Sequence, residues 1–437
     1  MRSILIAALL TAGLSQAALS QAALSWAAEK PLTLEAALEA LDAPHPNMQI
    51  AQAELDLALA GQQIADSAQD VTLTYEGALQ RGKMVMNGDQ WEANNTSRLA
   101  LRKNLLDFGR EHGRVTAAQR EANASRLALL DERDARRIDI MARFFDVLLA
   151  DAQYAADNEY MAVYYIGFDN AKNRHELGAM NSRDLAALEA RYQDQREKRN
   201  HSLYQQRTTR KKLAGALNQP GNLPGTLETP RLPQNNLLLP EYADLLPLAM
   251  RSNRKLLALQ SKLDAVAARA QAIRADRAPT LDIELAAGDY SRDAITRDRY
   301  SGGLILNWPL YQGERIDGQL ARNHTVRVRA EAEIEKFKRE LSTSLLETWL
   351  EIDWLKQTAR SAAKAQTHYR DQAMERARAE YEMELTANIG TAMADTQAAS
   401  VRNQRVEFQL ALALTRLASL VGQPLTDFAQ PKPAEKK

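Results

Sequence analysis

Leu213-Ala214-Gly215-Ala216-Leu217-Asn218-Gln219-Pro220 returns near the end of the chain as Leu417-Ala418-Ser419-Leu420-Val421-Gly422-Gln423-Pro424. The offset is 417 − 213 = 204 residues. The same offset carries Leu105-Leu106-Asp107-Phe108-Gly109 onto Pro309-Leu310-Tyr311-Gln312-Gly313, and Phe145 onto Trp349, with no gap between them. Three places sharing one offset indicate a duplicated unit. Repeats of about 20 to 50 residues build solenoids; this one is long enough to be a whole structural half. The architecture of one half therefore decides the fold.

Within each half, long stretches lack the strongest helix breaker. No proline stands between Pro46 and Pro220, or between Pro309 and Pro424. Ile138, Met141, Phe145 and Leu148 fall at helical spacing in the first stretch, and Ile334, Phe337, Leu341, Leu345, Ile352 and Leu355 do so in the second. A helix from Arg110 to Leu177 would reach roughly 100 Å at about 1.5 Å per residue. Such a helix must pack lengthwise against others, as in a coiled coil. Only 6% of residues are aromatic while 26% are charged, which suits long helices better than compact cores.

A turn divides each long helical stretch. After His175-Glu176-Leu177, Gly178 is suited to a left-handed C-terminal cap, and Ser182 is expected to cap the next helix. At the repeat offset, Thr386 keeps the capping role but Glu382 replaces Gly178, so the second turn is expected to be built differently.

Two-residue alternation replaces the helical period just before each long helix. Leu73, Tyr75 and Leu79 share a face, as do Leu99, Leu101 and Leu105 across a connection from Met84 to Ala93. In the second half Leu281, Ile283, Leu285 and Ala287 alternate with Asp282, Glu284 and Ala286. Their partner carries Leu304, Leu306, Trp308 and Leu310, beyond a charged loop from Asp289 to Asp298. These hairpins, at about 71–106 and 280–310, have strands about 10 residues long, the length of a tilted membrane-spanning strand. A small soluble β-domain is the other reading of the same alternation, although each short hairpin offers little else to pack on.

The N-terminus reads as a secretory signal over residues 1–27: Arg2, the apolar run Ile4 to Leu10, then the small pair Ser25 and Ala27. Absence of cysteine excludes disulfides and acylation at an N-terminal Cys, which fits a bacterial periplasm or outer membrane. A formal net charge of +0 gives no electrostatic case for nucleic acid. The domain plan is a first repeat over 28–218, a proline-rich linker over 219–240, a second repeat over 241–424 and a disordered tail over 425–437. Four strands per chain cannot close a barrel, and lipid tolerates no open sheet edge. If the hairpins enter a membrane, several copies must share one barrel.

The residues resemble the TolC-like outer-membrane efflux protein family from about Leu32 to Pro424. The marks are Leu34-Glu35-Ala36-Ala37 leading to Pro46-Asn47, Ala278-Pro279-Thr280-Leu281 before the second hairpin, the two hairpin-closing stretches ending at Gly109 and Gly313, and Leu417 to Gly422. Their order, duplicated on one period, carries the resemblance. It implies a mainly α chain with membrane β: long coiled-coil helices forming a trimeric α-barrel across the periplasm, and a shared 12-stranded β-barrel in the outer membrane, four strands per chain. The implied partners are two further copies of the chain, a periplasmic adaptor protein, an inner-membrane transporter of RND or ABC type, and outer-membrane lipid. No cofactor, metal or catalytic residue is implied.

By position, the adaptor-contacting helix tips would be 178–185 and 382–389, with Gly178, Met180, Asn181, Ser182, Arg183, Asp184, Glu384, Leu385, Thr386 and Asn388 as contacts. The periplasmic aperture would fall at Asn388, Thr391 and Asp395. Relatives often carry an aspartate ring where Asn388 and Thr391 stand, so Asp395 is either a ring displaced by one helical turn or an ordinary surface charge. Leu281, Ile283, Leu285, Leu304, Leu306 and Trp308 would face lipid, while Asp282, Glu284 and Asn307 would face a watery lumen. Two other classes compete. An enzyme is disfavoured because His45, His112, His175, His201, His324 and His368 show no metal-ligand spacing, and no G-x-S-x-G elbow or P-loop occurs. A periplasmic coiled-coil adaptor or scaffold would leave the duplicated hairpins unexplained. The cargo (drug, metal, metabolite or polypeptide) leaves no mark in the sequence.

Overall fold

The computed structural model describes residues 31–83, 90–222, 225–291, 298–383 and 388–431. The expected signal segment, the last six residues, Glu384, Leu385 and Thr386 lie outside them. In chain order the elements are α1 (Leu34–Glu39), α2 (Pro46–Ser67), β1 (Thr72–Ala78), β2 (Arg81–Lys83), β3 (Trp91–Ala93), β4 (Thr96–Leu106), α3 (Arg110–Glu176), α4 (Ser182–Ala216), β5 (Leu237–Leu238), α5 (Tyr242–Ser252), α6 (Arg254–Ala275), β6 (Thr280–Tyr290), β7 (Tyr300–Asn307), α7 (Arg315–Trp354), α8 (Arg360–Glu382), α9 (Ile389–Val421) and α10 (Leu425–Phe428). Among the described residues no helix is long and apolar enough to cross a membrane.

The chain divides into two compact units that each draw on distant segments. The first takes the described residues of Met1–Pro44, Arg136–Leu237 and Ile352–Leu414; the second takes His45–Ala135, Leu238–Glu351 and the described residues of Thr415–Lys437.

The first unit is helical. Its core joins Leu34 and Ala37 of α1 to Ile140, Met141, Phe144, Phe145, Val147 and Leu148 of α3, Leu213 of α4 and Phe408 of α9. Phe145 stacks on Phe408 with ring centroids 4.5 Å apart and planes 2° from parallel. The buried stripe of α3 therefore centres on Ile140 and Phe144; Ile138, expected on it, is only half-buried. Arg136 is buried and donates to the carbonyls of Ala40 (2.7 Å) and Ala43 (3.1 Å), satisfying acceptors left open where α1 ends. Burial pulls its guanidinium below the ordinary arginine range. Arg210 grips Asp151 with both terminal nitrogens, at 2.5 and 2.8 Å, tying α4 to α3.

A five-residue π-helical segment, Leu355–Ala359, interrupts the passage from α7 to α8. The sequence stripe runs through it unbroken, because Ile352 and Leu355 are both buried. An extra residue in the helical turn frees local backbone and re-aims side chains; here Lys356 Nζ donates to the Leu237 carbonyl.

The second unit holds the β-structure. β1, β4, β6 and β7 form one antiparallel sheet in that order, so the two expected hairpins join edge to edge through β4 and β6. The first hairpin is longer than expected: Trp91–Ala93, assigned to a connection, pairs with Arg81–Lys83 as a two-stranded extension. In the second, β6 runs through Asp289 to Tyr290, shortening the charged loop. β7 ends at Asn307, which leaves Trp308 and Leu310 past the strand. Pro309 explains the stop, since proline has no N–H for a ladder. Against the sheet's helical neighbours, α3 and α6 approach closely through small residues: Ala117, Ala265 and Ala268 form a buried cluster, and Ser261 donates to the Arg120 carbonyl at 2.8 Å. The tail expectation over 425–437 is corrected at its start, where Leu425–Phe428 forms a helical turn and Ala429 is buried.

Candidate pore sheet and helix-tip sites

Strand register sorts the sheet's side chains onto two unlike faces, because successive residues point to opposite sides. On one face Leu73 pairs with Leu101, Tyr75 with Leu99, Leu101 with Leu285, Ile283 with Leu304, and Leu281 with Leu306. This face is apolar yet open: Leu73 is 65% exposed, Leu304 63% and Leu306 64%. Trp308 is also exposed, just beyond the strand. Lys103 is the charge on the apolar side of β4, opposite Ile283 and next to a register shift between Asn104 and Leu106.

The opposite face is polar and ion-paired. Asp282 is 7% exposed. It accepts from Arg102 Nε at 3.1 Å through Oδ2, and from Asn104 Nδ2 at 2.7 Å through Oδ1. Arg98 pairs with Glu284, and Glu76 lies 3.7 Å from the same guanidinium. These bonds join β4 to β6 and so link the two hairpins across 178 to 186 residues of sequence. Arg102 stands opposite Glu284 in register but bonds Asp282, two residues away, a diagonal that long side chains span easily. Alternation in the sequence puts Asp282 and Glu284 on one face; Arg98 and Arg102, which share one parity in β4, complete it only once the register of β4 on β6 is known.

The first helix tip is fully described. Gly178 has φ of 72° and closes α3, with its own N–H donating to the His175 carbonyl at 2.9 Å and that of Ala179 to the Arg174 carbonyl at 2.8 Å. His175 Nδ1 lies 2.7 Å from the Met180 carbonyl oxygen. The cap of α4 is Asn181, correcting the expectation for Ser182, which is the first helical residue. Asn181 Oδ1 accepts from the Asp184 N–H at 2.9 Å, and its Nδ2 donates to the Asp184 carboxylate at 2.7 Å. The longer amide reaches the open N–H three residues on and is answered by an acid there. Arg183 is exposed. At the second tip α8 ends at Glu382; Glu384, Leu385 and Thr386 lie outside the described residues. Asn388 stands just before α9, its Oδ1 accepting from the Thr391 N–H at 3.3 Å and hydroxyl at 2.8 Å.

Three apolar side chains near the tips were missed by the sequence reading: Leu177, Tyr381 and Met383 are 84%, 63% and 62% exposed.

Asp395 is partly buried and held on both carboxylate oxygens. Tyr160 of α3 donates its hydroxyl to Asp395 Oδ1 at 2.5 Å, and Arg370 of α8 reaches Oδ2 at 2.5 Å. Burial and the Asp395 carboxylate push the Tyr160 hydroxyl up to about 12. The acid thus ties three helices of one unit together.

The sequence profile described as "Outer membrane efflux protein" matches residues 245–423. No curated protein matches the chain. Among solved structures, a membrane protein from Pseudomonas aeruginosa superposes with a TM-score of 0.71 at 18% identity, covering 89% of this chain and 90% of that one. The outer membrane protein VceC from Vibrio cholerae gives 0.69 at 17% identity, covering 89% and 96%. The Campylobacter jejuni CmeC outer membrane channel gives 0.69 at 12% identity, covering 89% and 85%. At such identities the likeness shows the fold, which here is mainly helical with a small sheet. The family's members are transport channels and not enzymes. Matched over residues 245–423 by the outer membrane efflux protein profile and in fold over nearly its whole length by outer-membrane channels, the chain resembles the TolC-like outer membrane efflux proteins.

Proposed function

We propose that three copies of this chain form an outer-membrane channel-tunnel that exports substrates delivered by an inner-membrane transporter, of RND or ABC type, through a periplasmic adaptor. The observation that carries the reading is the four-stranded sheet with one open apolar face and two unpaired edges. β7 is exposed along its whole length, and β1 along nearly all of it. Unpaired backbone groups cost several kcal/mol each in lipid, so the edges need partners there. Pairing β7 of one copy with β1 of the next supplies them, and three copies give a closed barrel of about twelve strands, within the range known to span membranes. The apolar face, with Leu281, Ile283, Leu285, Leu304 and Leu306, then meets lipid, and the ion-paired face meets water.

On α2, Ile50, Leu57 and Ile64 recur every seventh residue and are 63%, 70% and 72% exposed, a stripe that supports lengthwise packing against a neighbouring copy. The turn from Gly178 to Leu185 and the residues Glu384, Leu385, Thr386 and Asn388 are the proposed adaptor contacts. Asn388, Thr391 and Asp395 are the proposed aperture.

Expression of the full chain in a bacterial host, followed by outer-membrane fractionation and native mass measurement in detergent, tests the reading. Trimers in the outer-membrane fraction support it. A monomer that remains soluble after removal of detergent overturns it.

A further inference from the structure

We propose that the arginine–carboxylate pairs on the polar sheet face make the pore nearly indifferent to the sign of small ions, and that Arg102–Asp282 is the pair that sets this. The inference rests on the pore reading above.

The charges on that face of the described strands are few. Glu76, Asp282 and Glu284 are opposed by Arg98 and Arg102, which leaves 2 − 3 = −1 per copy. The remaining positions there are Thr, Ser, Ala, Gly, Asn, Ile and Tyr. Each arginine touches its carboxylate directly, whereas the screening length at 0.1 M salt is about 10 Å. A permeating ion therefore meets short dipoles instead of a ring of bare charge, and rings of bare charge are what make pores selective. Exposure strengthens the point. The Arg102 side chain is 48% exposed and that of Asp282 only 10%; for Arg98 and Glu284 the values are 36% and 19%. Asp282 and Glu284 lie beneath their arginines, so their negative charge does not reach the water first; Glu76, whose side chain is 63% exposed, carries the one excess charge per copy. Asp395, the acid considered for an aperture ring, is held by Arg370 in the same manner.

Removing one member of a pair releases the other's charge, tripled by threefold symmetry. Planar-bilayer recordings of the purified trimer in a potassium chloride gradient measure the permeability ratio of potassium to chloride. For the parent channel the expected ratio lies within about threefold of one. Asp282→Asn should move it toward chloride and Arg102→Gln toward potassium, each by about threefold or more. The swap variant R102D/D282R restores the pair and should restore the parent ratio. A parent preferring potassium by more than about tenfold overturns the proposal, as do single variants that shift together or not at all. Trimers that insert in the membrane but never conduct overturn the pore reading itself, and this inference with it.

Discussion

Asn218 and Gly422 stand 422 − 218 = 204 residues apart, and both hold the left-handed backbone, with φ of 58° and 78°. Asn218 follows α4 and Gly422 follows α9, so the sequence echo between the two helix ends extends to backbone geometry. A second pair at the same offset, Gly109 and Gly313, has φ of 88° and 63° where each hairpin hands over to its long helix. The surroundings differ. Asn218 reaches the Pro44 carbonyl with its side chain. Gly422 is pressed against the chain break between α5 and α6, where Asn253 Nδ2 donates to the Leu420 carbonyl at 3.0 Å and Ser252 Oγ to the Val421 carbonyl at 2.6 Å.

Gly422→Ala should therefore be severe and Asn218→Gly mild. A Cβ at Gly422 would stand 2.1 Å from the Ser252 carbonyl oxygen, a backbone atom that cannot swing aside. Overlap and left-handed strain together suggest a loss of about 3 kcal/mol or more. Thermal unfolding in detergent reads it, and equal midpoints for the two variants would refute the geometry.

Much of this fold was legible because strand parity and helical period act locally. Alternation over Leu281–Ala287 put the correct residues on one sheet face, and the turn at Gly178 needed only a glycine after a stripe. What failed was decided by partners distant in sequence or by backbone detail. Pairing of β4 with β6 joins residues about 180 positions apart, as the Arg102–Asp282 bond shows, and no local pattern announces it. The π-helical segment at Leu355–Ala359 leaves no compositional trace, since its neighbours keep the apolar rhythm. The choice of Asn181 over Ser182 turned on which side chain reaches the Asp184 N–H, one residue's difference that a capping rule tolerates. Alternation alone carries β7 on to Trp308, whereas the ladder stops at Asn307, before Pro309.

The apolar sheet face should reject charge while the polar face accepts it. Leu304→Arg would place a cation among Ile283 and Leu306, and a lipid-facing arginine near the bilayer centre costs about 2 to 4 kcal/mol. Ser301→Arg lies on the opposite face and should assemble normally. The measurement is trimer yield in outer membranes; equal yields would show that neither face meets lipid.

Alkaline unfolding should expose Tyr160. Its folded pKa is raised to about 12 from the ordinary tyrosine value of 10.0. A raised folded pKa means that the unfolded state gives up the proton first. The stabilisation is therefore complete below pH about 10 and is lost as pH rises through about 12. Tyr160→Phe removes both the titration and the hydrogen bond to Asp395. Its unfolding midpoint should be lower than the parent's at neutral pH and should fall less steeply across this alkaline window. Parallel pH profiles for the two proteins would count against the buried Tyr160–Asp395 contact.

Beside the two helix turns, Leu177 and Met383 are 84% and 62% exposed, and exposed apolar surface of this kind is what the proposed adaptor contact would bury. Leu177 stands one residue before Gly178, and Met383 one residue past the end of α8. Neither has a packing role to lose, so Leu177→Asp and Met383→Asp should leave trimer formation and thermal stability within about 0.5 kcal/mol of the parent. Burying either acid against an apolar adaptor surface would cost several kcal/mol if unpaired, enough to lower adaptor affinity by at least about tenfold. Asn181→Ala tests the ordering separately. Loss of the cap costs about 1 kcal/mol locally and should speed hydrogen exchange in the first turn of α4, whereas Ser182→Ala should not. Titration of each variant trimer against a purified periplasmic adaptor protein that binds the parent trimer reads the result. Unchanged affinity in both aspartate variants would move the adaptor contact away from these tips.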